Sequence, residues 1–388
     1  MAFPKTSISE TEAIERIREI TREDASVKDS RGGILAMAFE PSDLAMRLYS
    51  EFLETNYFYG RMYPGIARLE REVVSMIADF CGCAEATGDI VSGGTAANIL
   101  ALKAARDGAA KKDPNVVVPA TAHPSLVKGC QFLAMEARRI ACDEKTYRAI
   151  PEKMESAVDD NTVAIVGCFG DPGNGAVDPI PELAKIAVKH GIHMHVDAAW
   201  AGFIMPFLSD LGYLDIPDWN FRVEGVSSIT VDPHKMLLCP MPAGGILYRN
   251  ESIRECAGFT LGNYSTHTLV GSRSGASIVC LWALLKTTGY EGYLRNAEKL
   301  MQTTHELVRQ VCTIPGMTKE IEPQMNLVAF RTDVDPVLLS EQMAERGWQG
   351  MSPLKDPPTF RCIVLPHMEN RIPQFTADLK EVNASLTR

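Results

Sequence analysis

The chain has 388 residues, 46% hydrophobic and 23% charged, with a formal net charge of -10 at pH 7. These figures describe an ordinary globular protein with ample core and room for two units, one of them large. The acidic balance argues against a nucleic-acid or anionic-membrane partner, both of which need a basic surface, and leaves a small-molecule substrate as the expectation.

No apolar run approaches the ~20 residues of a membrane span, and the opening residues lack the hydrophobic core of a signal peptide. Ten cysteines are scattered, with only Cys81 and Cys83 close together. Neither a disulfide framework nor a zinc ribbon is suggested, and the reducing cytoplasm is the expected compartment. Ser9 and Glu12 are spaced as a capping box ahead of Ile14 and Ile17. Residues 1–64 otherwise read as a helical and loop arm carrying the aromatics Tyr57, Phe58, Tyr59 and Tyr63.

From Ile66 the residues Leu69, Val73, Met76, Ile77 and Phe80 recur at helical spacing, with Glu70 and Arg71 on the other side. Then the period changes. Short β-branched runs at 115–118, 162–166, 192–196 and 228–231 alternate with helical patterns such as 181–190, which predicts a mostly parallel sheet buried on both faces. Ligands of such sheets sit at the carboxyl ends of the strands. Helices are expected at 276–287 and 294–311, followed by a strand at 326–330, a helix at 336–346 and a strand at 361–365. The predicted large unit is 65–290, and residues 291–388 form a small α+β unit.

Two strand-like runs end on chemistry. The run at 228–231 leads through Asp232 and Pro233 to His234 and Lys235, where burial disfavours the ammonium form and suits the amine to a Schiff base. The run at 192–196 ends on Asp197, followed by the small Ala198 and Ala199, which leave room for a flat ring. Upstream, Ser92-Gly93-Gly94-Thr95 opens a helix, where free N–H groups and the helix dipole favour a phosphate. His123 follows the 115–118 run and could stack on a ring. Each has a bland reading alone: a surface lysine, a helix N-cap, a tight turn, a loop histidine. His190, His193 and His195 invite a metal, but two of them alternate within a core strand and no partner cluster stands near, so no metal is expected.

Taken as an ordered set, these motifs resemble the pyridoxal-phosphate-dependent group II amino-acid decarboxylases, most of all the archaeal tyrosine/aspartate decarboxylase branch. The most specific stretches are 196–203, 226–235 and 271–275. The resemblance implies the aspartate-aminotransferase-like fold, pyridoxal 5'-phosphate as cofactor, and a homodimer in which the 271–275 loop, with Ser272, reaches the partner's site. It further implies that Lys235 carries the cofactor, Asp197 faces the ring nitrogen and His123 covers the ring beside Ala199. Gly94, Thr95 and His234 would hold the phosphate, and Arg361 would clamp the substrate α-carboxylate. Tyr264, in a loop shorter than is usual for the family, or His123 would return a proton to the α-carbon.

The sequence departs from the family pattern at Asp232, where many relatives have asparagine, and at the turn 170–175, which replaces a threonine-rich one. The implied reaction is decarboxylation of an L-amino acid, aspartate to β-alanine or tyrosine to tyramine. The aromatics Tyr57 to Tyr63 could meet an aromatic substrate, or Arg61 an acidic one. Two other readings remain open: a carbon–carbon lyase acting on a phosphorylated amino alcohol, similar to sphingosine phosphate lyase, and a non-catalytic binding protein on the same fold.

Overall fold

The computed structural model describes residues 3, 5–22, 24, 33–213, 216–355 and 357–387. Seven strands form the main sheet: β1 Thr87–Val91, β2 Asn115–Pro119, β3 Glu136–Ile140, β4 Thr162–Cys168, β5 His193–Asp197, β6 Val226–Val231 and β7 Gly244–Tyr248. Their order is β1-β7-β6-β5-β4-β2-β3. Strands β2 to β6 pair in parallel, while β7 runs antiparallel to both of its neighbours. The sheet is mixed but mostly parallel, as the alternating runs predict.

The four β-branched runs became β2, β4, β5 and β6, almost wholly buried because helices cover both faces. β3 was not legible. Its residues Glu136, Arg138 and Arg139 are charged, a composition that an edge strand tolerates and a central one does not. Arg138 pairs there with Glu136 and Asp159.

After the exposed hairpin of β8 Phe259–Leu261 and β9 Tyr264–Thr266, the two expected helices follow end to end within Ala276–Val311. Gly289 interrupts this span with φ 62° and ψ 174°. The chain kinks there at a glycine whose backbone is not helical, and the two helices meet across it. A second, antiparallel sheet follows, with strands β10 Met317–Lys319, β11 Leu327–Thr332, β12 Ser352–Lys355 and β13 Pro358–Ile363 in the order β10-β11-β13-β12. Helices Pro336–Glu345 and Ile372–Leu386 complete this unit.

The N-terminal segment is more than an arm. Ser9 does cap helix Glu10–Ile20 by accepting from Glu12 N, and that helix buries no residue. Leu35, however, is fully buried in the core of the C-terminal unit with Phe330, Trp348, Phe360 and Phe375. Its N–H donates to Gln349 O and its carbonyl accepts from Ile363 N. Strand pairing far along the chain decides this placement, and the short apolar run Ile34 to Met37 after two glycines gives no periodic signal of it.

Candidate active site

The carboxyl ends of β4, β5 and β6 and the start of helix Gly94–Ala109 surround one cavity of about 450 Å³. Parallel register brings the ends together: Asp197, the last residue of β5, lies beside Cys168 of β4 and Thr230 of β6. Asp232 and Lys235 follow directly. Lys235, Asp197, His123, His234, Gly94, Thr95 and Ala199 all border this cavity.

The Lys235 ammonium lies 3.0 Å from Asp232 Oδ2 and 5.3 Å from the centre of the Trp200 ring. Asp232 is 2% exposed, and its Oδ1 has no hydrogen-bond partner. A buried carboxylate oxygen without a donor is costly, so this atom marks a place where a further donor is wanted. Ala243 N donates to His234 Nδ1 at 3.2 Å, so the neutral ring carries its proton on Nε2, and burial pushes the imidazole below its ordinary value.

The Ser92 to Thr95 turn is shaped by close approach. Gly93 has φ 130°, and a Cβ there would stand 3.1 Å from His234 Cε1. A Cβ on Gly94 would meet Asp232 Oδ2 at 2.7 Å and the Ala199 methyl at 3.2 Å, and one on Gly244 of β7 would strike the Gly93 backbone at 2.4 Å. The 16-residue helix that starts at Gly94 has no side-chain cap, so its first N–H groups are free for an anion. A lysine amine, a bare helix start, an imidazole N–H and a strand-end carboxylate around a slot floored by Ala199 fit pyridoxal phosphate.

Asp197 is 7% exposed and accepts from both sides: Asn98 Nδ2 reaches Oδ2 at 2.8 Å and Ala199 N reaches Oδ1 at 3.1 Å. The local turn and the buried site therefore share one carboxylate. His123 caps helix Pro124–Phe132, its Nδ1 accepting from Ser125 N at 3.1 Å. The residue keeps solvent access, while enclosure of the ring on the cavity wall lowers its basicity.

The remaining expected residues lie at or beyond the rim. Arg361 of β13 donates to the Pro172 carbonyl and, at 2.9 Å, to Ser352 Oγ, so it grips the 170–175 turn rather than opening onto the cavity. That turn is stiff: buried Asp171 accepts from Gly173, Asn174 and Ala176 N, and burial raises its carboxyl. Tyr264 is 41% exposed on β9, stacked on Phe58 with ring centres 5.2 Å apart. Ser272 is exposed, bonded to Asn56 Nδ2 at 3.4 Å, and neither it nor Tyr264 borders the cavity. Arg61 is also outside it, and Tyr57 instead packs under the Arg273 guanidinium.

Sequence reasoning placed His193 and His195 in a core strand but missed their partners. His193, His195 and Asp197 alternate along β5 and so share one face. Both histidines bond Ser228 Oγ, at 2.7 and 2.8 Å, and His195 also meets Asn98 Oδ1 at 3.0 Å. Polar residues at every second position of a core strand were the available signal. Lys128 and Phe132 on the cavity wall were missed as well.

Residues 38–333 match the model of the pyridoxal-dependent decarboxylase conserved domain. A Methanothrix thermoacetophila protein named probable L-tyrosine/L-aspartate decarboxylase is 38% identical over 390 residues, covering 100% of this chain and 99% of the relative. The L-aspartate/L-glutamate decarboxylase of Pyrococcus horikoshii is 36% identical over 389 residues, covering 98% and 100%. Among solved structures, the sphingosine-1-phosphate lyase of Burkholderia pseudomallei superposes with a TM-score of 0.91 at 27% identity, covering 100% of this chain and 93% of that one.

Proposed function

The chain belongs to the pyridoxal-dependent decarboxylases and is a pyridoxal-phosphate-dependent amino-acid decarboxylase, and from that premise we propose that its substrate is L-aspartate, with L-tyrosine second. The observation that carries the site assignment is the convergence of Lys235, Asp197 and the uncapped helix start on one cavity. Aspartate leads because the names of both relatives above include it. The Lys128 ammonium on the cavity wall also supplies a counter-charge for a side-chain carboxylate.

When bound, the cofactor supplies an aldehyde for linkage to an amine and a protonated ring that takes up the electron pair left by departing carbon dioxide. Lys235 would hold it, and Asp232 Oδ2, 3.0 Å from the lysine nitrogen, would accept a hydrogen bond from that nitrogen when it is free. Asp197 would face the ring nitrogen. The N–H groups of Gly94 and Thr95 and the Nε2–H of His234 would take the phosphate, while Ala199 and His123 would bound the two faces of the ring. Arg361 would exchange the Pro172 carbonyl and Ser352 hydroxyl for the substrate α-carboxylate, a planar group its fork matches in two bonds. A phosphorylated amino alcohol has no such carboxylate, which weighs against the lyase reading.

Phe132 and Leu269, 66% and 54% exposed, border the cavity mouth, with exposed Leu261 and Val270 on the same stretch of chain as Leu269. This apolar rim supports a second copy closing over the site, with Ser272 and Tyr264 acting across the interface, and the cytoplasm as compartment accords with ten unpaired cysteines. The test is a panel of aspartate, tyrosine, glutamate and cysteate given to the cofactor-loaded protein, with carbon dioxide and amine measured together. Equal amounts of carbon dioxide and β-alanine from aspartate are expected. Release from tyrosine alone would replace the first substrate, and release from none would refute the proposal.

A further inference from the structure

Asn98, on the helix Gly94–Ala109, is 1% exposed and has no part in the chemistry above. Its carboxamide reaches three groups: Nδ2 lies 2.8 Å from Asp197 Oδ2 and 2.9 Å from Ser125 Oγ, and Oδ1 lies 3.0 Å from His195 Nε2. Only one orientation of this amide is sound. Turned over, its oxygen would face the Asp197 carboxylate, lone pair against lone pair.

Backbone donors fix the rest. Ser125 N–H can only donate, and it donates to His123 Nδ1, so that nitrogen carries no proton. Ser125 Oγ accepts from Asn98 and turns its own proton to the same Nδ1 at 2.8 Å. The proton of His123 therefore sits on Nε2. On the other branch His195 donates Nε2–H to Asn98 Oδ1 and accepts at Nδ1 from Ser228 Oγ, which in turn accepts from His193 Nε2. The Thr230 hydroxyl, 3.4 Å from His195 Nε2, lies beside this run without reversing it.

We infer that Asn98 is a positioning residue at the junction of Asp197 and His123: it keeps a donor on Asp197, and its bond to Ser125 Oγ holds the Ser125 hydroxyl on His123 Nδ1, beside the backbone N–H that fixes the neutral Nε2–H tautomer. A charged His123 would set Nδ1–H against the Ser125 backbone N–H, which can only donate. His123 thus covers the cofactor site as a neutral group and is not an imidazolium acid. The charged groups around it are Asp197, Lys235, Asp232 and Arg361, two of each sign, and ring burial disfavours the cation further.

The inference rests on Asp197 and His123 as cofactor contacts, yet its first test does not need the cofactor. In the full chain labelled with 15N-histidine and stripped of cofactor, His123 at pH 7 is expected to show an unprotonated Nδ1 and a protonated Nε2. A protonated Nδ1 would overturn the inference. Asn98→Ala is expected to leave the His123 tautomer in place, since the Ser125 N–H remains, and to weaken pyridoxal phosphate binding about tenfold, the worth of roughly one hydrogen bond. Asn98→Asp, of the same shape but with no donors, is expected to weaken it more. Unchanged affinity in Asn98→Ala would also overturn the inference. Unchanged affinity in Asp197→Ala as well would instead refute Asp197 as a cofactor contact. Should Asn98→Ala fail to fold, Asn98→Asp, of the same shape, decides.

Discussion

The floor and the rim of the cavity are built differently. On the floor, Asp197, Asn98, His195 and Ser228 are buried between a sheet and a helix, and each bonds at least one of the others. At the rim, Tyr264 and Ser272 are exposed, and Arg361 is engaged with a carbonyl and a hydroxyl of its own chain. Groups whose charge state must hold are placed where low dielectric makes every hydrogen bond count. The rim is mixed: β9, with Tyr264, carries little buried surface and opens at lower cost, whereas Arg361 stands on the largely buried β13.

This contrast predicts graded effects. Lys235→Ala should act hardest, removing on the order of 10^4-fold in kcat because the amine that holds the cofactor has no substitute. Steady-state assay with a cofactor-binding spectrum checks it, and near-normal turnover would remove Lys235 from the floor's chemistry.

The next effect concerns stability. Burial depresses His195 to about 4 in the folded protein, whereas it titrates near 6.5 when free. The unfolded chain therefore takes up this proton first, and stability present above pH 6.5 is lost as pH falls towards 4, on the order of 3 kcal/mol. Asp178 opposes this. Burial raises its carboxyl to about 6, so the folded state binds that proton first and gains stability over an overlapping range. Urea unfolding of wild type and His195→Gln at matched pH cancels the Asp178 part. The gap between them should narrow from pH 8 to pH 4, and a constant gap would show that His195 is not held neutral by the fold.

Arg361→Ala should have the smaller effect expected of the rim: a loss of roughly 2 kcal/mol, or about 30-fold in kcat/KM, carried mainly by KM. An equal loss of kcat with KM unchanged would move Arg361 from binding into the chemistry and blur the line between rim and floor.

Much of the floor was legible before the fold was known. β2, β4, β5 and β6 announced themselves as β-branched runs, and the strand-end positions of Asp197 and Lys235 followed from them. Asn98 could not be read in the same way. It sits 27, 99 and 97 residues from Ser125, Asp197 and His195, and in sequence it is one polar residue at the start of a helix. The resemblance implies a carboxylate clamp at Arg361, and its hold on the Pro172 carbonyl depends on how the small sheet meets the 170–175 turn.

By itself, then, the sequence determined what is local: the period of each element, the glycines at 93 and 94 where no Cβ fits, and the lysine and aspartate that end their strands. These follow from backbone sterics and burial within a few residues. The tertiary structure alone decided the insertion of Leu35 into the distant core, the charged edge strand β3, and the direction of every proton around Asn98. Each depends on partners tens or hundreds of residues away, where a hydrogen bond or packed side chain leaves no periodic trace in the chain.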